Sequence, residues 1–263
     1  IADLTVEGSI TLGASVSASM IAGGANPGLA TLCALAAGFA AGLATGLLHT
    51  KLRIPALLAG ILTMIALYSV NLRVLGKANV SLLRMRTVYS PLEALGLEKN
   101  MAVVVLGLGL VLLIILILYW FFGTEIENAI RATGNNPSMV RAQGVNTDSM
   151  KILGLVLSNG LVALSGAMIA QSQNFADVQM GTGSIVIGLA SLIIGEVLFG
   201  RRNFFSRLFS LILGAVTYRV IIAMVLKLGM PTNDLKLFTA LTVELALSLP
   251  MFQGYLNTIR RSM

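Results

Sequence analysis

Five polar side chains interrupt otherwise apolar runs, and they are the first candidates for chemistry. Arg219 and Glu244 fall near the middle of two such runs, where an unpaired charge costs about 2.5–3.5 kcal/mol. Two roles suit them: an ion pair between neighbouring helices, or contact with a charged or zwitterionic solute. Glu196, close to Arg201 and Arg202, suits a local ion pair. Asn159 and Gln171 suit either the lining of a path or hydrogen bonds between helices. Reactive residues are otherwise scarce. Cys33, the one cysteine, sits in an apolar run as a small packing residue, and His49, the one histidine, is interfacial beside Lys51. The chain has no H-E-x-x-H, no nucleophile elbow and no G-x-x-x-x-G-K-[ST] phosphate loop. Neither a metal site nor a catalytic residue is expected.

A second candidate is the polar segment 125–146, Glu125-Ile126-Glu127-Asn128-Ala129-Ile130-Arg131-Ala132-Thr133-Gly134-Asn135-Asn136-Pro137-Ser138-Met139-Val140-Arg141-Ala142-Gln143-Gly144-Val145-Asn146. It is too polar to cross an apolar layer. Gly134-Asn135-Asn136-Pro137 predicts a turn into a new helix, since proline is tolerated in a first helical turn. Ser138 to Gln143 then forms about two turns, stopped by Gly144. A short helix lying across the ends of two longer ones can dock in a groove on another protein and transmit its motion.

The elements that must position these residues are membrane helices. Hydrophobic residues make up 56% of the 263 residues and charged residues only 11%, against about 25% charged in soluble domains. Too little polar surface remains to cover a water-soluble fold, and lipid is the solvent that needs none. The expected architecture is all-α, one transmembrane domain over 1–263. Its spans fall at about 10–24, 29–48, 54–75, 101–122, 150–171, 184–199, 204–228 and 236–251. That is about eight segments. The first and sixth are short and glycine-interrupted, as broken helices are. The chain opens directly beside an apolar segment, so an upstream helix is expected before it. Gly38, Gly42 and Gly46 recur every fourth residue on one helix face and predict close helix packing.

Net charge of +7 comes from scattered basic residues rather than a basic face, which argues against nucleic acid. Alternating the spans puts ten of them (Lys51, Arg53, Arg131, Arg141, Lys151, Arg201, Arg202, Arg207, Arg260, Arg261) on one side and seven on the other. The ten mark the cytoplasmic side.

Ala132-Thr133-Gly134-Asn135-Asn136-Pro137 followed by Ala142-Gln143-Gly144-Val145 resembles the coupling-helix loop of ATP-binding-cassette importer permeases of the ribose and branched-chain amino-acid type. Asp3-Leu4-Thr5-Val6-Glu7-Gly8 is similar to that family's Asp-Leu-Ser-Val-Gly element. Gly166 to Gln171, Gly181-Thr182-Gly183, Ile187 to Glu196 and Asn233-Asp234-Leu235-Lys236 resemble later family elements in the same order. Within the family the chain is most similar to tryptophan/tyrosine uptake permeases. Glu7 stands where glycine is usual, and Gly195-Glu196 replaces a Gly-Gly pair; both departures weigh against a sugar.

The resemblance implies a multi-pass permease of the bacterial inner membrane that works by alternating access. Residues Ala132, Thr133, Gly134, Asn135, Asn136, Pro137, Met139, Val140, Arg141, Ala142 and Gly144 would meet an ATPase dimer, which binds the ATP and magnesium. An extracytoplasmic binding protein would deliver substrate to the 76–100 connection and to residues 172–182. A second permease, in a homodimer, would complete the pathway. Aromatic amino acids come first as substrate, with other amino acids, nucleosides and sugars as alternatives. A secondary transporter or channel is the rival of another class; it leaves the 125–146 segment unexplained.

Overall fold

The computed structural model describes residues 3–199 and 204–227, together with Leu237, Ala240, Leu241 and Glu244. Helices dominate, and they fall into two compact units, one up to Thr182 and one from Gly183 onward.

The first unit is built around α1 (Thr5–Ala22), which packs on α2 (Pro27–Thr50), α3 (Ala56–Leu75) and α8 (Thr147–Gln173). Eleven of the eighteen α1 residues are buried, most of them Gly, Ala, Ser or Thr. Small side chains let backbones approach, and packing rather than the hydrophobic effect is what holds helices together in lipid. The closest approaches are at glycines. A methyl group at Gly13 would strike the Ala163 carbonyl, and one at Gly166 the Ile10 carbonyl. On α2, Gly38, Gly42 and Gly46 lie in turn on the α8 backbone at Asn159–Gly160, Leu155–Val156 and Ile152.

Caps set the helix limits. The Asn26 carboxamide accepts from Gly28 N at 2.9 Å, with Pro27 in the first turn of α2. Gly76 ends α3 and Asn174 ends α8, both in the left-handed region. The connection after α3 holds β1 (Asn79–Ser81) and α4 (Ser90–Ala94) before α5 (Lys99–Phe121). After α8, β2 (Phe175–Asp177) pairs antiparallel with β1. This ribbon departs from a purely helical expectation. It buries Val80, Leu82, Ala176 and Val178 against Ile21, Ala30 and Leu75, capping one end of the bundle.

α5 is the most apolar helix and the least enclosed. Its first half packs on Tyr89 and Met168. Its second half borders an apolar cavity of about 640 Å³ facing α2 and α8, and it ends in exposed Tyr119 and Trp120, an aromatic pair suited to a membrane interface.

The second unit pairs α9 (Ser184–Phe199) with α10 (Phe204–Lys227). They cross at Gly195 and Gly214, each lying on the other helix's backbone. Five described helices are long and apolar enough to cross a membrane: α2, α3, α5, α8 and residues 208–227 of α10. α9 is apolar but shorter, with sixteen residues. α1 begins at Thr5, earlier than expected, and the Asp3 carboxylate accepts from Thr5 N there at 2.9 Å. The last expected span, 236–251, lies mostly outside the described residues, as do Arg201, Arg202 and the 233–236 motif.

Candidate functional site

The polar segment forms two helices, α6 (Glu125–Asn135) and α7 (Pro137–Ala142). The break between them is one residue, Asn136, at φ −148°. Gly134 and Asn135, expected in the turn, instead finish α6. Asn136 can carry the break alone because its Oδ1 accepts from Met139 N at 3.2 Å and from Ser138 Oγ at 2.7 Å, while Pro137 has no N–H to satisfy. Gly144 follows α7 at φ +83°, a conformation glycine adopts freely.

One face of the pair is tied down and the other is open. Val140 and Thr133 are buried, whereas Gly134, Asn135, Asn136, Pro137, Met139, Arg141 and Ala142 are exposed; Ala132 lies between. Within α6, Arg131 donates from Nε and Nη2 to Glu127 Oε1 at 3.0 and 2.9 Å. Arg141 fastens α7 to α8: its Nε donates to Thr147 Oγ1 at 2.6 Å and its Nη2 pairs with Asp148 Oδ1 at 3.2 Å. Asn146 caps α8 through Asp148 N and Ser149 N. A rigid bundle helix therefore begins at the point where the exposed α7 is clamped. Arg141→Gln should loosen α7 without unfolding the bundle, since an exposed pair of this kind is worth only about 0.2–1 kcal/mol. The expected readings are faster amide hydrogen exchange over 137–145 and unchanged exchange over 155–171.

Asn159 and Gln171 both lie fully enclosed in the first unit. Asn159 Nδ2 donates to Asp3 Oδ2 at 2.7 Å and to Leu155 O at 3.0 Å, and its Oδ1 accepts from Ser9 Oγ at 2.6 Å. Thr5 and Thr45 join hydroxyls at 2.8 Å nearby. Gln171 Nε2 donates to Ser17 Oγ and Thr31 Oγ1, both at 2.9 Å, and its Oε1 accepts from Val88 N at 2.9 Å. These two amides thus stitch α1, α2 and α8 together, and their hydrogen bonds point inward.

At the ribbon end, Tyr89 donates its hydroxyl to Met168 O at 3.1 Å, and burial pushes that hydroxyl's pKa above its ordinary value. Arg84 and Arg86 are exposed there, and Arg86 borders an open cavity of about 1020 Å³ between the α1–α2 turn and residues 85–94. Gly181, after β2, packs on the Glu7 carbonyl and donates its N–H to Thr11 Oγ1 at 3.1 Å. In the second unit Glu196 is buried on α9, while Arg219 and Glu244 are exposed. No ion pair joins Arg219 to Glu244 among the described residues. Sequence reasoning missed Asp3 and Ser9 as partners of Asn159 and missed the Arg141 clamp; only the last, six residues from Thr147, left a local signal. His49, at the end of α2, is held by Ile54 O through Nδ1 at 2.8 Å.

Residues 1–247 match the family described as the permease component of branched-chain amino acid transport systems. The chain is 40% identical over 241 residues to a tyrosine transport system permease protein of Clostridioides difficile (strain R20291), covering 92% of this chain and 79% of that one. It is 33% identical over 252 residues to an uncharacterized protein of Rickettsia prowazekii (strain Madrid E), covering 94% and 87%. It is 31% identical over 173 residues to the autoinducer 2 import system permease protein LsrC of Yersinia pestis, covering 65% and 48%. No solved structure matches it. Along nearly its whole length the chain is matched by permease components of transport systems. The chain belongs to the family of branched-chain amino acid transport system permeases and is a multi-pass membrane subunit of a bacterial ATP-binding-cassette importer.

Proposed function

We propose that this subunit imports an aromatic amino acid, tyrosine first, as a homodimer driven by two ATPase subunits and fed by an extracytoplasmic binding protein. The ATPases supply ATP and magnesium binding. The α6–α7 pair is the cytoplasmic coupling element, the β1–β2 end with Arg84 and Arg86 receives the binding protein, and the membrane segments number about eight, with 236–251 the last. Tyrosine is favoured by the 40% identity to a tyrosine permease. Autoinducer 2 import by the more distant relative keeps sugar-like solutes as the second reading.

The observation that carries the proposal is the exposed, clamped α7 following a polar helix. Gly134 provides the test. A methyl group added there meets nothing within 4 Å outside its own helix, so a larger residue at Gly134 is expected to leave the fold intact while changing the surface that a partner would meet. In proteoliposomes with the ATPase and binding protein, Gly134→Leu and Ala142→Leu should lower tyrosine uptake per ATP hydrolysed by about tenfold or more, a loss of 1.4 kcal/mol or more. Unchanged uptake and substrate-stimulated hydrolysis in both would remove the coupling role. Uptake by the permease alone, without any ATPase, would instead favour a secondary transporter.

A further inference from the structure

Beneath the start of α1 lies a cavity of about 470 Å³, bounded by Asp3, His49, Thr133, Pro137, Lys151 and Ser158 among others. Its size falls in the range of small-molecule sites, about 300–1,000 Å³. Its charges are unusual. The Asp3 carboxylate is fixed in place, Oδ1 on Thr5 N and Oδ2 on the Asn159 amide. Lys151, on the second turn of α8, is half-buried and makes no hydrogen bond or ion pair with any described residue. The two line one cavity yet lie too far apart to form an ion pair with each other.

A fixed anion and an unmatched cation facing a shared gap suit a ligand that carries both charges. We propose that this cavity binds a free zwitterionic amino acid, with Lys151 on its carboxylate and Asp3 on its ammonium group. Partial burial strengthens both contacts by excluding water. Thr133, Gly134 and Pro137 form part of the wall, so an occupant braces α6 against α7. Amino acid accumulating on that side of the membrane would then slow the importer. This regulatory consequence rests on the coupling role proposed above; the binding site does not.

The test is equilibrium dialysis of radiolabelled L-tyrosine and L-leucine against the permease in lipid nanodiscs, with neither ATPase nor binding protein present. Saturable binding is expected, and Lys151→Gln should weaken it by about tenfold or more, as loss of a charge-assisted hydrogen bond does. Lys151 has no partner to lose among the described residues, so the variant should remain monodisperse. Tyramine, which lacks the carboxylate, should bind weakly and equally to both forms. Absence of saturable binding for either amino acid, or binding that Lys151→Gln leaves unchanged, overturns the proposal. Tyrosine uptake by the complete complex is measured separately: binding without uptake would spare the site and refute the substrate, and uptake without binding the reverse.

Discussion

Replacing Gly13 or Gly166 with leucine is expected to leave no folded permease. Each glycine lies where the α1 and α8 backbones touch, and even a methyl group would enter a carbonyl oxygen of the partner helix. Ordinary overpacking of a core costs about 1–3 kcal/mol because side chains can move aside. Here the obstacle is backbone, so the helices must separate along their length. Separation would also break the Asn159 and Gln171 hydrogen bonds that cross the same seam. The measurement is size-exclusion chromatography of detergent extracts, where a monodisperse peak should be lost. Gly107→Leu and Gly109→Leu on α5 are the controls, since a methyl group added at either meets nothing within 4 Å outside its own helix; both should elute as the parent does. A normal peak for Gly13→Leu would mean that α1 and α8 are not in backbone contact.

Asn159→Leu should be the most damaging polar substitution. The leucine nearly matches the volume but leaves the fully buried Ser9 Oγ without its 2.6 Å partner and removes the 2.7 Å partner of the half-buried Asp3 Oδ2. A buried hydroxyl left unsatisfied costs about 1–3 kcal/mol, and the half-buried Asp3, which water can reach from the cavity, adds less. Thermal unfolding of the purified protein should shift down by many degrees, and Asn159→Gln, which keeps the amide on a longer arm, should recover little. A shift no larger than that of Ser165→Ala, whose hydroxyl bonds only within its own helix turn, would show that the network does not hold α1 in place.

What could be read from residue order follows the distance between partners. The glycine row at 38, 42 and 46 is a period within one helix, and its consequence, contact with α8, is local to that period. Pro137 and Gly144 are chemical punctuation and bracket α7 in the sequence; the turn expected over Gly134–Pro137 narrows to Asn136 alone, because asparagine's self-capping there is decided by its side-chain geometry. Gly13 and Gly166 carry no repeat, so their contact was invisible. The Asp3–Asn159 bond spans 156 positions and the β1–β2 ribbon joins three-residue strands nearly a hundred residues apart. Neither leaves a periodic trace. Asn159 and Gln171 were recognised as unusual from their apolar surroundings, but whether such an amide faces a path or a neighbouring helix depends on packing that only the fold defines.

The protein's one tryptophan carries a practical consequence. Trp120 lies in the last turn of α5 and is 73% exposed, with one side on the apolar cavity that α5 shares with α2 and α8. Its emission will report the polarity of the lipid headgroup region around it, and will respond to bilayer composition or depth-dependent quenchers. Because Trp120 also borders the apolar cavity shared with α2 and α8, the same spectrum will respond when those helices part, so intrinsic fluorescence in this protein reads membrane depth and helix packing together.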